Sequence, residues 1–361
     1  MMAAMPPPNT FRIVVLITLS AIVLGALVTG AHVSAEGGDM ARVYLHGAVV
    51  GGLTGAGLST LELSVLRETV GARLRRLPFL PYLGVRSLLY VVVILVIESV
   101  VNQLMPGRNG VVAPVTGADV SYSLALSMGY NVFFGVNTLL GSGVLFAFVA
   151  GRYYHPRIEE RALLFIDMRS STAIAERLGE VRFLDLLNHF IADVSLAIAG
   201  AGGEIHKYVG DEVIATWRLS PGANPPACVR ACFAAREALA KRAAAYQREF
   251  GLTVDFRAAL HCGPVVVGEL GYLKKEIALI GDTMNTTARI EEKCRDVGGY
   301  ALASAALLER LGALPPDIVK RPLGALPMRG KAQAIELFAL ETKRDALRAS
   351  ERSAHLETQS S

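Results

Sequence analysis

The sequence predicts an α-helical membrane domain of four helices followed by an α+β domain, and three observations carry that reading. Hydrophobic residues make up 52% of the 361 positions and mean hydropathy is +0.41, too apolar for a wholly soluble chain of this length. The apolar excess lies before about residue 150, and charged residues dominate after it. In the second part, apolar runs of strand length alternate with stretches of helical periodicity.

Within residues 1–150, apolar runs occupy 13–31, 43–65, 83–104 and 122–150. Each reaches the ~20 residues that a helix needs to cross a bilayer. The segment LLYVVVILVI (88–97) is the clearest of them, and GAVVGGLTGAGLST (47–60) is rich in glycine, which suits close helix packing in lipid. Val33-Ser34-Ala35 has the small residues of a signal-peptide cleavage site. The apolar core before it is long for a signal, and only Arg12 charges its front, so a retained helix is expected.

Arginines set the orientation. Arg67, Arg73, Arg75, Arg76 and Arg86 fall between the second and third runs, and Arg152, Arg157 and Arg161 follow the fourth. The connectors 32–42 and 105–121 hold one arginine each. The N-terminus, the middle connector and everything after 151 are therefore expected in the cytoplasm, with the chain multi-pass in the cell's inner (plasma) membrane. The net charge of +4 is explained by this flanking of the bilayer rather than by nucleic-acid binding. His32, His46, Glu62, Glu98, Asn131 and Asn137 lie in or near the runs. His46 and Glu98 are candidates to contact an unknown ligand or regulator of the membrane domain.

The four cysteines, Cys228, Cys232, Cys262 and Cys294, lack zinc-type spacing and read as buried thiols in a reducing compartment. A charged linker, GRYYHPRIEER (151–161), leads to a domain over 162–341, and 342–361 is a polar tail expected to be disordered. ALLFID (162–167) reads as a strand. Phe183 to Ile198 recur at helical spacing, with a stop near Gly202-Gly203. HKYVGDEVIATW (206–217) reads as two strands joined at Gly210-Asp211, and 226–249 as a helix. TVDFRAALHCG and PVVVGEL read as two strands parted by a Gly-Pro turn, 282–296 as a helix, and LPMRG and AIELFAL as closing strands. The result is an α+β fold with a largely antiparallel sheet.

Chemistry gathers at two places. Asp167 ends the first strand and Asp211 sits at the hairpin tip, so two carboxylates converge if those strands are neighbours. Such oxygen ligands suit Mg²⁺, which is held by one or two carboxylates together with substrate phosphates. MRSSTA, from Met168 on, leads into a helix whose first N–H groups can receive phosphate oxygens. In GDTMNTTARIEE (281–292), Asn285 and Arg289 share a helix face. An amide there can orient a ribose oxygen, and a guanidinium can neutralise charge developing on a phosphate.

FIDMRSST (165–172), HKYVGDEV (206–213), HCGPVVVGELG (261–271), IGDTMNTTARIE (280–291) and MRGKAQAIELFAL (328–340) together resemble, in order, the catalytic domain of the class III adenylate and guanylate cyclases. The resemblance covers about 160–340 and implies the family's ferredoxin-like α+β fold. It implies that Asp167 and Asp211 hold two Mg²⁺ or Mn²⁺ ions, with the Met168 carbonyl assisting. Arg169, Ser170, Ser171 and Thr172 would meet the phosphates, Asn285 the ribose and Arg289 the α-phosphate. Lys207 matches the family's purine-contacting lysine.

The resemblance further implies a site shared across a homodimer. One chain supplies the aspartates, and its partner supplies Lys207, Asn285 and Arg289. The product would be 3′,5′-cyclic AMP made from ATP. Two positions depart from the family. Its second purine-selecting position falls on Ala278, which leaves base selection to Lys207, backbone groups or nearby Glu276. Where the family has a lysine before the glycine of MRGK, this chain has Arg329, with Lys331 two residues on; either supplies charge for the terminal phosphates. The rival readings are a guanylate cyclase and a catalytically silent membrane receptor with a cyclase-like domain.

Overall fold

The structure, a computed structural model, describes residues 8–33, 40–62, 79–105, 117–140, 151–219, 227–273, 275–297, 300–328 and 333–347. It divides into two compact units, Pro8–Leu145 and a second made chiefly of Phe146–Ser361.

The first unit consists of long helices: α1 (Pro8–Val33), α2 (Met40–Thr60), α3 (Phe79–Leu104) and α4 (Gly117–Leu140). Glycine lets α1 and α2 touch backbone to backbone. A Cβ on Gly25 would lie 2.2 Å from the Gly47 carbonyl oxygen, and one on Gly51 would lie 2.1 Å from that of Ala21. Polar side chains tie the other helices together. His46 Nε2 lies 2.8 Å from Asn102 Oδ1, and Asn131 donates to Ser87 Oγ at 3.0 Å. Within α3, Pro81–Leu104 is long and apolar enough to cross a membrane. Among the described residues the other helix of that kind is Glu180–Gly200, which buries Leu186, Phe190, Val194 and Ile198 in the core of the second unit.

Arg86 departs from expectation. It belongs to α3 rather than to the connector before it, is 5% exposed, and pairs with Glu62 at 2.8 Å. Its guanidinium also donates to the Tyr82 and Tyr90 hydroxyls. Its charge is met by Glu62 within the helical unit rather than carried in a connector. Arg67, Arg73, Arg75 and Arg76, and the side chains of His32 and Asn137, lie outside the described residues.

The second unit is built on one mixed sheet. Its elements are β1 (Arg157–Met168), α5 (Ser171–Leu178), α6 (Glu180–Gly200), β2 (Glu204–Val209), β3 (Glu212–Arg218), α7 (Ala227–Phe250), β4 (Phe256–Leu270), β5 (Glu276–Ile280), α8 (Asp282–Val297), β6 (Ala301–Ser304), α9 (Ala305–Leu311), β7 (Ile318–Leu326) and β8 (Ile335–Thr342). The strand order is β2-β3-β1-β4-β6-β8-β7, with β5 on the far end of β4. Only the β4–β6 pairing is parallel. The central strand β1 is buried on both faces, which is why Leu163, Leu164, Phe165 and Ile166 run without alternation. Leu164 and Ile166 face α6 and α7 with Cys228 and Cys232. Leu163 and Phe165 face α8 with Ile290 and Cys294. All four cysteines are buried free thiols.

Three boundaries differ from the sequence reading. The linker's last residues, 157–161, already pair with β4 as the start of β1. The expected Gly-Pro turn is absent, and β4 runs unbroken through Gly263-Pro264. On that edge β6 pairs with residues 258–260 and β5 with 266–270, so Pro264's missing N–H falls in the gap between them. Gly263 gives Thr283 room, since a Cβ there would lie 2.8 Å from Thr283 Oγ1; that hydroxyl donates to the Pro264 carbonyl at 2.7 Å. Finally, β7 ends at Leu326, so Pro327 and Met328 of LPMRG follow the strand rather than form it. Past β8, residues 343–347 add a helical turn, held where Asp345 meets Arg236 at 2.6 Å.

Arg161 is fastened where β1 enters the sheet. Its side chain is 2% exposed and reaches Glu159 at 2.6 Å and Glu204 at 2.9 Å, with the Tyr153 hydroxyl at 3.5 Å. Removing one partner of a buried pair strands the other charge. Arg161→Ala is therefore expected to lower stability by about 3 kcal/mol, the low end for such pairs because Glu204 stays half exposed. Urea unfolding of the detergent-solubilised chain, followed by the fluorescence of its single tryptophan, Trp217, reads this directly. An unchanged midpoint would show that the network is ornamental.

Candidate active site

The register of the sheet assembles the site. β1 pairs with β3 so that Asp167 lies opposite Glu212, and with β4 so that it lies opposite Arg257. Cross-strand partners share a face, and Phe165, two residues before Asp167, packs on the α8 side. Asp167, Glu212 and Arg257 therefore all point to the face that α8 covers. Asp211 sits beside Glu212 at the tip of the β2–β3 hairpin, whose turn begins at Gly210 with φ +62°, a conformation open to glycine at little cost. Asp167 and Asp211 are thus brought together as expected.

Two charged residues that the sequence reading did not assign join them. Glu291, on α8, is 6% exposed and close enough to Asp167 for each charge to act on the other. Arg295, one turn on, lies 3.5 Å from Asp167 and 3.8 Å from Glu291. A signal for Glu291 was present: Thr283, Thr287, Ile290 and Cys294 are all buried on α8, and helical spacing puts 291 on their face. Glu212 also gains a place, in this acidic cluster.

Three of these clustered carboxylates hold their protons more tightly than usual. Burial raises the Asp167 pKa, and the charge of Asp211 adds to it. Burial pushes the Glu212 carboxyl up to about 7, reinforced by Glu291, Asp167 and Asp211. Glu291 is likewise pushed up to about 7 by burial and then by Asp167. Asp211 Oδ2 and Glu291 Oε1 are buried without a hydrogen-bond partner. Orphaned carboxylate oxygens beside mutually repelling charges fit a divalent cation, which would satisfy both. Among the described residues no three His, Cys, Asp or Glu side chains enclose an ion by themselves. Mg²⁺ is commonly held by one or two carboxylates, with water and substrate phosphate in the other positions.

The turn after β1 is strained in a useful way. Ser170 has φ +56° and, among the described residues, is the one non-glycine with positive φ. It precedes α5 without its side chain capping the helix, so the first-turn N–H groups of Ser171 and Thr172 are left for another acceptor. The Arg169 N–H is committed to the Asp255 carbonyl at 2.9 Å. The Met168 side chain is 1% exposed and belongs to the core.

On α8 the buried face leaves Asn285 exposed and Arg289 half-buried. Among the described residues neither side chain has a partner. Arg289 lines an open cavity of about 360 Å³ with Lys293, Arg295, Pro327 and Met328; Arg329 and Lys331, next in sequence, lie outside the described residues. Lys207 reaches Glu276 at 3.1 Å. Ala278 is 8% exposed and pairs with Gly268.

Residues 153–341 match the family described as "Adenylate and Guanylate cyclase catalytic domain", and the chain, with more than half its length inside that match, belongs to this family. "Adenylate cyclase 2" of Rhizobium meliloti (strain 1021) is 36% identical over 244 residues, covering 67% of this chain and 64% of that protein. That match is longer than the stretch from 153 to the C-terminus, so the likeness reaches back before the catalytic domain. "Adenylate cyclase" of Anabaena cylindrica is 26% identical over 184 residues, covering 50% of this chain and 36% of that protein. The chain thus spans less than two thirds of either relative. A solved structure of a bacterial light-regulated adenylyl cyclase shares the fold at a TM-score of 0.53, with 20% identity over 63% of this chain and 66% of that one.

Proposed function

We propose that the chain is a membrane-bound adenylate cyclase that converts ATP to 3′,5′-cyclic AMP and pyrophosphate. The observation that carries this reading is the convergence of Asp167 and Asp211 at one end of neighbouring strands, with their charges in repulsion and Asp211 Oδ2 orphaned. In the reaction the ribose 3′-oxygen bonds to the α-phosphorus, and the bond from that phosphorus to the bridging oxygen breaks. Pyrophosphate leaves with the electron pair, and the 3′-hydroxyl proton passes to water. Asp167 and Asp211 would hold two Mg²⁺ or Mn²⁺, which when bound acidify the 3′-hydroxyl and offset charge on the triphosphate. Ser170 to Thr172 offer backbone N–H groups to phosphate oxygens, beside the charge of Arg169. Asn285 orients the ribose. Arg289 neutralises charge on the α-phosphate in the transition state, and either Arg329 or Lys331 supplies charge for the terminal phosphates.

Asn285 and Arg289 face outward on α8, which favours a site completed by a second copy of the chain through the catalytic domain. A homodimer then carries two sites, each with aspartates from one chain and Lys207, Asn285 and Arg289 from the other. Helices α1–α4 form the multi-pass membrane anchor of domain 1–150, with both the N-terminus and the catalytic domain on the cytoplasmic side. The apolarity of α3 and the glycine contacts of α1 with α2 support this placement.

A guanylate cyclase is the second reading; Lys207 argues against it, and Ala278, with no side-chain hydrogen bond to offer, does not exclude it. Purified protein with Mg²⁺ or Mn²⁺ should form cyclic AMP from ATP with a kcat/KM at least tenfold above that for GTP. The reverse preference sinks the substrate assignment, and no product from either nucleotide supports a silent receptor.

A further inference from the structure

We propose that Glu276 takes over the base-selecting role missing at Ala278, and reads the 6-amino group of adenine while Lys207 donates to ring N1. This inference rests on the adenylate reading above. Ala278 offers only a methyl group, and its cross-strand partner, Gly268, offers no side chain at all. Glu276 stands two residues before Ala278 on β5, so both project to the same side of the strand. It is the carboxylate that Lys207 meets, at 3.1 Å, with the two side chains 49% and 40% exposed.

A pair this exposed contributes little to folding, yet the backbone is shaped to present it. Ile205 pairs with Ala215 and Lys207 with Ile214, so His206 is an extra residue in β2. Ala215 belongs to the core beneath α6 and α7, and Ile214 to the core on the other face. In a regular strand Lys207 would share Ile205's face. The slip at His206 sets it on the side of Ile214, away from α6 and α7, while Tyr208 regains their side and meets Ser195 of α6 at 3.0 Å. The strand thus departs from regularity at the residue that aims Lys207.

A cationic donor beside an anionic acceptor matches the adenine edge, where the N1 acceptor adjoins the N6 donor. In the same pose guanine sets its N1–H against the ammonium and its O6 against the carboxylate, so both contacts turn repulsive. The pair then selects by attraction to one base and repulsion of the other. β5 runs straight into α8, so base pair-reader and ribose-orienting Asn285 sit on one continuous segment.

The test compares ATP with purine riboside triphosphate, which lacks the 6-amino group, on the full-length wild type and on Glu276→Ala. Hydrogen bonds to charged groups are worth about 1.5–3 kcal/mol, which corresponds to roughly 10- to 100-fold in kcat/KM. Wild type should favour ATP over the deamino substrate by that factor, and Glu276→Ala should lose most of the preference. Glu276→Ala/Ala278→Thr, with a side-chain acceptor restored at 278, should regain part of it. If Glu276 only steadies Lys207, the variant weakens both substrates equally and the ratio stays as in wild type; that result overturns the proposal. A wild type that cyclises ATP while ignoring the 6-amino group overturns this inference alone. One that cyclises GTP and not ATP overturns the adenylate reading as well.

Discussion

Asp211→Asn is expected to lower kcat for cyclic AMP formation by at least about a thousandfold, in line with the loss of several kcal/mol of transition-state stabilisation, and at the same time to stabilise the metal-free fold. The two effects have one origin. Asp211 Oδ2 is buried and unpartnered, and its charge raises the pKa of Asp167 and of Glu212. An amide keeps the shape and removes the repulsion. A variant that is inactive yet melts at a higher temperature than wild type in chelator is the signature of a ligand position held against folding stability. A lower melting point would mean that Asp211 is structural, and retained activity would end the metal assignment.

Mixing inactive chains is expected to restore activity. Asp211→Ala removes the aspartate half of a site, and Arg289→Ala removes the α8 half. If each site draws on both chains, every mixed dimer has one intact site and one doubly damaged site. Half of the dimers in an equimolar, freely exchanging mixture are mixed, and each has one of two sites working. The mixture should therefore show roughly a quarter of wild-type activity, whereas either variant alone shows almost none. Activity no higher than the sum of the two variants would place a complete site within a single chain. The exposure of Asn285 and the half-burial of Arg289 favour recovery.

The parts that were legible in the sequence share a physical property: their meaning is local. Asp167 at a strand end, Gly210-Asp211 between two apolar runs, and Asn285 four residues before Arg289 are each fixed by neighbours in the chain. Pro264 misled because its acceptability depends on where two other strands, β5 and β6, stop pairing with β4. Arg86 misled for a similar reason. A connector arginine and a helix arginine differ only in whether Glu62 is within reach. Glu291 could be found by helical spacing, but Glu292 beside it makes the pair look like a solvated face, and only packing separates them. The departure of β2 from regularity at His206 depends on the register of β3 and has no signature of its own.

That departure separates two requirements that a regular strand would tie together. From the hairpin tip, Val209 opposite Glu212 and Tyr208 opposite Val213 set Lys207 opposite Ile214, while from the other end Ile205 stays opposite Ala215. The extra residue at 206 lets both ends keep their partners. Its removal would join Ile205 directly to Lys207 with both pairings intact, so the side of the sheet that the lysine occupies is set from the hairpin and tolerates a change of length at 206.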